Sequence, residues 1–301
     1  MWILFAFISS CFVGMKDVAR KRALINNPVF EVLLLNLFFY SLLMSPIIVA
    51  SAVGTGWFTG TWLDIPQDNF RIHVLVLIRS IIVLLSRLLV YFAIEHLPIT
   101  LFSPIHATYP IFTLLGAMVL FGERLNALQW IGISVSIFSL FLLKKSGAKE
   151  GIIFHKNKWI WLLVASMMFK VISALYDKFL LQHVDHLFVQ SWYNVYQLIL
   201  LVFVLAIFNR FRSKSQKLHW NWAILGVSIF MIIADFFYFW ALREPNVMIS
   251  MVSIMRRSSV IFTFTFGAIL FREKNIRSKS VDMIFILIGM IILTLGSYLH
   301  Q

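Results

Sequence analysis

Long apolar stretches separated by short polar segments recur along the whole of this 301-residue chain. A helix needs about 20 predominantly apolar residues to cross roughly 30 Å of hydrocarbon. By that measure ten spans are predicted, approximately over 2–20, 30–53, 72–94, 98–121, 126–143, 158–180, 187–208, 221–242, 246–270 and 281–299. The longest connection of the first half, 54–71, holds Gly54, Gly56, Gly60, Asp64 and Pro66, which is turn chemistry. Pro28 opens the second span, where its missing N–H costs nothing, and Pro46 predicts a kink near the far end. The fourth span carries Pro104 and Pro110, so its hydrogen-bond ladder is predicted to break twice near mid-depth. Broken backbone at that depth is tolerated where it is buried in protein or lines a wet cavity. In the short fifth span, Gly132, Ser134, Ser136 and Ser139 suit close helix contact.

The stretch ISMVSIMRRSSVIFTFTFGAILFREK, residues 249–274, matches the sequence 150 residues earlier without a gap. Ser103, Ile111, Phe112, Thr113, Leu120, Phe121 and Glu123 stand opposite Ser253, Ile261, Phe262, Thr263, Leu270, Phe271 and Glu273, with Arg124 opposite Lys274. That shift is half the chain, so the pattern predicts one unit written twice: residues 1–145, a basic linker over 146–157, and residues 158–301. Five spans per unit is an odd number, so the second copy must enter the membrane upside down. The expected fold is an all-α integral membrane protein of ten transmembrane helices, arranged as two inverted five-helix repeats.

Composition agrees: 60% of residues are hydrophobic and 13% charged, which excludes an ordinary soluble globular domain. A net charge of +13 could point to nucleic acid, but the basic residues lie in short segments beside the spans, as at Lys144, Lys145, Lys149, Lys156 and Lys158 and at Arg210, Arg212, Lys214 and Lys217. Such clusters orient a polytopic protein and meet anionic lipid, so membrane lipid is an expected partner and nucleic acid is not. With Cys11 as the only cysteine, no intramolecular disulfide can form. In the first apolar run the positive charges follow instead of preceding, which predicts a retained span rather than a signal peptide.

Charged residues inside spans are the candidates for chemistry, because each must be partnered or functional. Lys16 and Asp17 lie close to the end of the first span, and Arg20, Lys21 and Arg22 read as a snorkelling boundary. Arg79 and Arg87, eight residues apart, share a helical face about 12 Å apart along the axis. His106 lies in the interrupted fourth span and Lys170 in the sixth. On the seventh, Trp192, Tyr193, Asn194, Tyr196 and Gln197 make a polar and aromatic face that either contacts a solute or forms a headgroup belt, the belt being the reading for Trp192 and Tyr193. Setting Ala93 against Ala241 brings Asp235 opposite Arg87, which suggests an ion pair between the halves, or a substrate or proton site.

Arg256 lies roughly 15 Å inside the ninth span, and Arg257 is turned about 100° from it. The first half has His106 and Ala107 there, so the repeat does not need arginine at those places to fold. A guanidinium stays charged and its fork matches carboxylate or phosphate. The expected substrate-binding set is therefore Arg256, Arg257, His106, Arg87, Arg79, Asp235, Lys170 and Asn194, around a cargo whose anionic group Arg256 holds, with Arg257 orienting or pairing beside it. The bland alternative is that both ninth-span arginines pair with helix-terminal carbonyls or with Asp235.

Ten spans in two halves, with a fourth and a ninth span each ending in an acidic residue (LFGER at 120–124, LFREK at 270–274), resemble the drug/metabolite transporter superfamily, in particular its EamA-like ten-span carriers. That resemblance covers essentially the whole chain and implies a carrier of amino acids, sugar phosphates or other small metabolites. In the triose-phosphate branch a Lys-Arg pair on the ninth span binds the substrate phosphate, and Arg256 and Arg257 are similar in type and placement. The other phosphate ligands of that branch do not map onto this sequence.

The expected function is secondary active transport of a small anionic or zwitterionic metabolite by alternating access, with a coupling proton or an exchanged solute. The alternatives are a flippase for an anionic lipid-linked carrier and an intramembrane enzyme. Against the enzyme, no zinc-protease, nucleophile-elbow or prenyl-diphosphate motif is present, and no cofactor or metal is expected. No nucleotide-binding loop is present either, so a gradient or exchange must drive transport. Monomer and homodimer both remain open. Short loops suggest a bacterial inner membrane. Arg20, Lys21, Arg22, the central lysines, residues 210–217, and Arg272, Lys274, Arg277 and Lys279 all fall in odd-numbered loops. The positive-inside rule then puts both termini outside the cytoplasm, whereas ten-span relatives resemble a termini-inside arrangement.

Overall fold

The computed structural model describes residues 2–53, 69–121, 125–148, 152–180, 184, 186–209, 218–243, 255–273 and 275–298. Its helices are α1 (Trp2–Leu24), α2 (Val29–Val53), α3 (Phe70–His96), α4 (Ile99–Ala107), α5 (Tyr109–Phe121), α6 (Ala127–Ala148), α7 (Lys158–Leu180), α8 (His186–Asn209), α9 (Trp222–Arg243), α10 (Ser259–Phe271) and α11 (Ile276–Tyr298). A 3₁₀ turn, Phe154–Lys156, precedes α7, and residues 255–257 form a helical turn ahead of α10. Among the described residues there is no strand.

Five helical stretches are long and apolar enough to cross a membrane: α1, α2 as far as Pro46, α3, α6, and α7 as far as Asp177. Shorter apolar stretches lie in α8 (Ser191–Ile207) and α9 (Trp222–Tyr238). Large apolar side chains such as Phe141, Phe203 and Ile269 stand exposed on the outside, which costs nothing where the surroundings are hydrocarbon.

Two corrections to the predicted elements follow. Pro104 sits inside α4 without ending it, so the predicted fourth span breaks once, at Thr108, and not twice. The fifth span continues through Lys144 and Lys145 to Ala148, so the linker is shorter than its composition suggests. The loop 54–71 and the acidic Glu123 fall mostly or wholly outside the described residues.

Packing runs largely between the two halves of the sequence. Helix α1 lies on α9, α3 on α7, and α6 on α11, while α2 rests against α8 and α9, and α4 and α1 against α10. The largest apolar cluster is centred on Leu33, Leu37, Ile94, Leu97, Leu101 and Phe102, from α2, α3, the α3–α4 turn and α4. At the α6–α11 crossing the backbones nearly touch. A Cβ on Gly132 would lie 2.6 Å from the Leu293 amide nitrogen, and one on Gly289 would lie 2.2 Å from the Ser136 hydroxyl. Ser136 and Ser139 are buried in this contact, whereas Ser134 faces outward and bonds the Trp130 carbonyl at 2.9 Å.

One end of the bundle is tied by polar groups. Arg272 ends α10 in the left-handed region, at φ 49°, and Glu273 then turns under the start of α4. Its carboxylate accepts from the amides of Ile99 (2.6 Å) and Thr100 (3.0 Å) and from the Thr100 hydroxyl, satisfying donors that a helix start leaves open. Lys279, fully buried, donates to the same hydroxyl at 2.9 Å, and Lys21 donates to the Leu97 carbonyl. Nearby, the His219 amide donates to Asn27 (2.7 Å) and Ser146 bonds Ser278 (2.7 Å). The ends of α1, α3, α6 and α10 therefore meet at one face, together with the basic residues beside them.

Replacing Gly132 by leucine forces α6 and α11 apart. Overpacking of this kind costs about 1–3 kcal/mol or more, so the variant should melt well below wild type in detergent, while Ser134→Leu, on the outer face, should not.

Candidate functional site

Two helices are broken at positions 150 residues apart, and both breaks are made by a hydroxyl residue. At Thr108 the amide (3.1 Å) and the hydroxyl (2.8 Å) both donate to the Ile105 carbonyl, and the Ile111 amide donates to the Thr108 carbonyl (3.0 Å). At Ser258 the amide (3.1 Å) and the hydroxyl (2.6 Å) both donate to the Met255 carbonyl, and the Ile261 amide donates to the Ser258 carbonyl (2.9 Å). The side chain thus occupies a carbonyl that loses its partner when the helix tightens. Val260 stands where the first half has Pro110, so proline is not what the break requires. The spacing of prolines could not reveal the second break, and the gap-free repeat was the signal that could have.

Beside these breaks lies a cavity of about 560 Å³, a volume suited to a small molecule. Lys16, Arg20, Arg87, Lys170, Arg256 and Arg257 line it, and among the described lining residues Asp17 is the only carboxylate. Helix α1 reaches the site because Gly14 has no side chain; a Cβ there would lie 2.5 Å from the Phe262 Cβ and 2.9 Å from the Thr263 amide nitrogen. The Ser258 and Ser10 hydroxyls lie 2.9 Å apart, which sets α1 against the second break. Asp17 is then held between Lys16 (3.3 Å) and Arg20 (3.2 Å). Arg20 also lies over the Tyr91 ring, 4.9 Å from its centroid, and its Nε is buried without a hydrogen bond.

The predicted residues are distributed unevenly around this cavity. His106 lines it and stacks on Phe102, with centroids 5.2 Å apart. Lys170 lies 4.0 Å from the centre of the Tyr109 ring. Arg256 is bound to Asp235, which also accepts from the Tyr40 hydroxyl at 3.4 Å, and its guanidinium lies over Tyr238. Among the described residues no carboxylate pairs with Arg257, Lys170 or Arg87. Arg87 donates to Asn194 Oδ1 (3.0 Å) and to the Tyr193 hydroxyl (3.2 Å), so Asn194 reaches the cavity only through it.

Arg79 does not line the cavity. Both its Nε and its Nη2 engage Asp177, the latter at 3.1 Å, and its guanidinium lies over Tyr193. Tyr193, 8% exposed, is thus a buried support for two arginines and not part of a headgroup belt.

The expected Arg87–Asp235 pair is absent, because Asp235 is taken by Arg256 from its own half. Equivalent positions in two related units lie equally far from the axis between them, and only those near the axis can touch. The cluster at the end of α1 differs from its expected role as well. Arg20 lines the cavity instead of snorkelling, and its spacing of three from Asp17 and four from Lys16 was the available signal. Among the described residues no group of three or more His, Cys, Asp or Glu side chains could hold a metal ion.

Comparison with known proteins follows the same outline. The model of the EamA-like transporter family matches residues 1–144 and 157–295. One solved crystal structure of a protein is similar over 98% of this chain and 97% of its own, with 14% sequence identity and a TM-score of 0.59, a likeness that concerns the fold alone. No curated protein matches the chain at the level that would mark a relative.

A double-mutant cycle separates the observed partner of Asp235 from the one the repeat suggested. The Arg256→Ala and Asp235→Ala changes should couple by about 0.5–3 kcal/mol in unfolding free energy, as contacting groups do. Arg87→Ala and Asp235→Ala should add without coupling.

Proposed function

The chain belongs to the EamA-like transporter family, which is made up of membrane carriers of small solutes, and on that premise we propose that it moves a small anionic or zwitterionic metabolite by secondary active, alternating-access transport. The observation that carries this reading is the charge of the cavity: among the described residues six cationic side chains line it against one lining carboxylate, with Asp235 engaged by Arg256. A cation near the centre of a bilayer costs at least about 2.5–3.5 kcal/mol on insertion scales. Several such charges around one space are best explained by a cargo that neutralises them. Arg257 offers donors of the kind that bind carboxylate or phosphate, and Lys170 adds a point charge. Arg256 is the pair's orienting member, held by Asp235, and Arg257 is the one presented to the cargo. This reverses the roles that their sequence order suggests.

Alternating access rests on two inverted five-span halves, residues 1–145 and 158–301. Supporting that relation, the main contacts keep their form when each span is exchanged for the one five places on. The first span meets the eighth as the sixth meets the third, and the fifth meets the tenth. The matched breaks at Thr108 and Ser258 also lie where discontinuous helices form midplane sites in carriers of this architecture.

Uptake into proteoliposomes tests the proposal. Exchange of radiolabelled carboxylates and phosphate esters should be seen with wild type, should be lost in Arg257→Ala, and should be weakened at least about tenfold in affinity in Arg257→Lys, which keeps charge but not the fork. Undiminished transport of a purely cationic solute by Arg257→Ala would refute it, as would lipid scrambling with no solute exchange.

For placement we propose a bacterial inner membrane, with the basic ends of α1, α6 and α10 in the cytoplasm and both termini outside. A terminal reporter active only in the cytoplasm should stay dark.

A further inference from the structure

One wall of the cavity is chemically unlike the rest. Asn36 on α2 lines the cavity and is 6% exposed. Its Nδ2 donates to the Tyr91 hydroxyl at 2.8 Å, while its Oδ1 is buried and makes no hydrogen bond. The residue is held firmly, because its backbone carbonyl accepts from Ser228 of α9 at 2.9 Å. One turn on, Tyr40 also lines the cavity and donates to Asp235. This side therefore holds a neutral amide and hydroxyls beside a space that cations line elsewhere, and the amide oxygen, covered in this state, meets a ligand through a turn of the Asn36 side chain.

We infer that Asn36 recognises a hydroxyl group on the transported anion, so that the cargo is a hydroxylated anion such as a hydroxy acid, a sugar acid or a polyol phosphate. The inference rests on the anionic reading of the cavity given above and narrows it. A buried amide atom without a partner is costly, and a ligand group that completes its bonding gains what the protein leaves unmade. A hydroxyl both donates and accepts, so it satisfies the amide whichever way its oxygen and nitrogen are turned. An ammonium group only donates, and it would have to enter beside an excess of lysine and arginine charge. The amide thus favours hydroxy acids over amino acids of the same skeleton.

Binding to the purified full-length protein, read as ligand-dependent thermal stabilisation, tests this with matched probes. The first set is L-malate, succinate and L-aspartate. The second is L-lactate, propionate and L-alanine, and a third pair is glycerol 3-phosphate and propyl phosphate. Within at least one set the hydroxylated member should bind about tenfold or more tightly than its deoxy and amino counterparts, since a site built around a polar group discriminates against ligands that leave it unpaired. In Asn36→Leu that ratio should fall to about one, whatever the absolute affinity, and Asn36→Ala reads the same ratio if leucine prevents folding. Equal binding of hydroxylated and deoxy anions by wild type overturns the hydroxyl assignment and leaves the anionic cargo standing. A preference for the amino members overturns it too, as does a ratio that survives both substitutions. If no anion of the panel binds, both readings fall together.

Discussion

A charge held at the depth of a hydrocarbon slab must be compensated close by, and this requirement organises the centre of the molecule. Each charge there is met in a different way. Asp17 sits between two cations of its own helix, Asp235 holds Arg256, and Arg87 is braced by an amide and a tyrosine hydroxyl. Lys170 lies over the face of Tyr109, whose quadrupole attracts a cation without a carboxylate. Arg79, by contrast, pairs with Asp177 through Nε and Nη2 and contributes to α3–α7 packing, not to the cavity. Between Arg79 and Arg87 the difference is therefore the presence of a carboxylate within reach. Both kinds lie on one face of α3.

The same requirement applies to the backbone. A helix that breaks at mid-depth leaves carbonyl and amide groups without partners, and there is no solvent in hydrocarbon to take them. Thr108 and Ser258 address this with their own hydroxyls, each doubling up on the carbonyl three residues back. The breaks carry His106 and Arg256 on their approaches, and both residues line the cavity. A local device of one hydroxyl and one tight turn thus sets where the chemistry of each half can be placed.

Close approach sets the rest. Glycine at position 14 lets α1 lie against α10, which brings Lys16, Asp17 and Arg20 to the cavity. Gly132 and Gly289 do the same for α6 and α11, away from the cavity, where the gain is packing contact between backbones, since lipid offers no hydrophobic drive for helices to associate. At one end Glu273 joins α10 to α4 through the first turn's open amides, an arrangement that gives the acidic ending of the ninth span a structural role. Its carboxylate also faces the Lys21 ammonium at 3.8 Å, so α1, α4 and α10 share one polar junction.

Length and hydropathy determined by themselves that this chain is a helical membrane protein, because the thickness of a bilayer dictates how long an apolar run must be. The gap-free match at 150 residues also set His106 and Ala107 opposite Arg256 and Arg257. Partnership was not legible in the same way. Charge pairing depends on distances across helices, and periodicity within one helix carries no information about them. Asp235 therefore looked equally available to Arg87 and to Arg256, and only the packing of α9 beside the second break decided for Arg256. For the same reason Arg20 resembled a boundary residue until α1 was seen to lie against α10. Asn36, an ordinary polar residue in an apolar span, acquired its significance only when tertiary structure put it on the cavity wall with one atom unpaired.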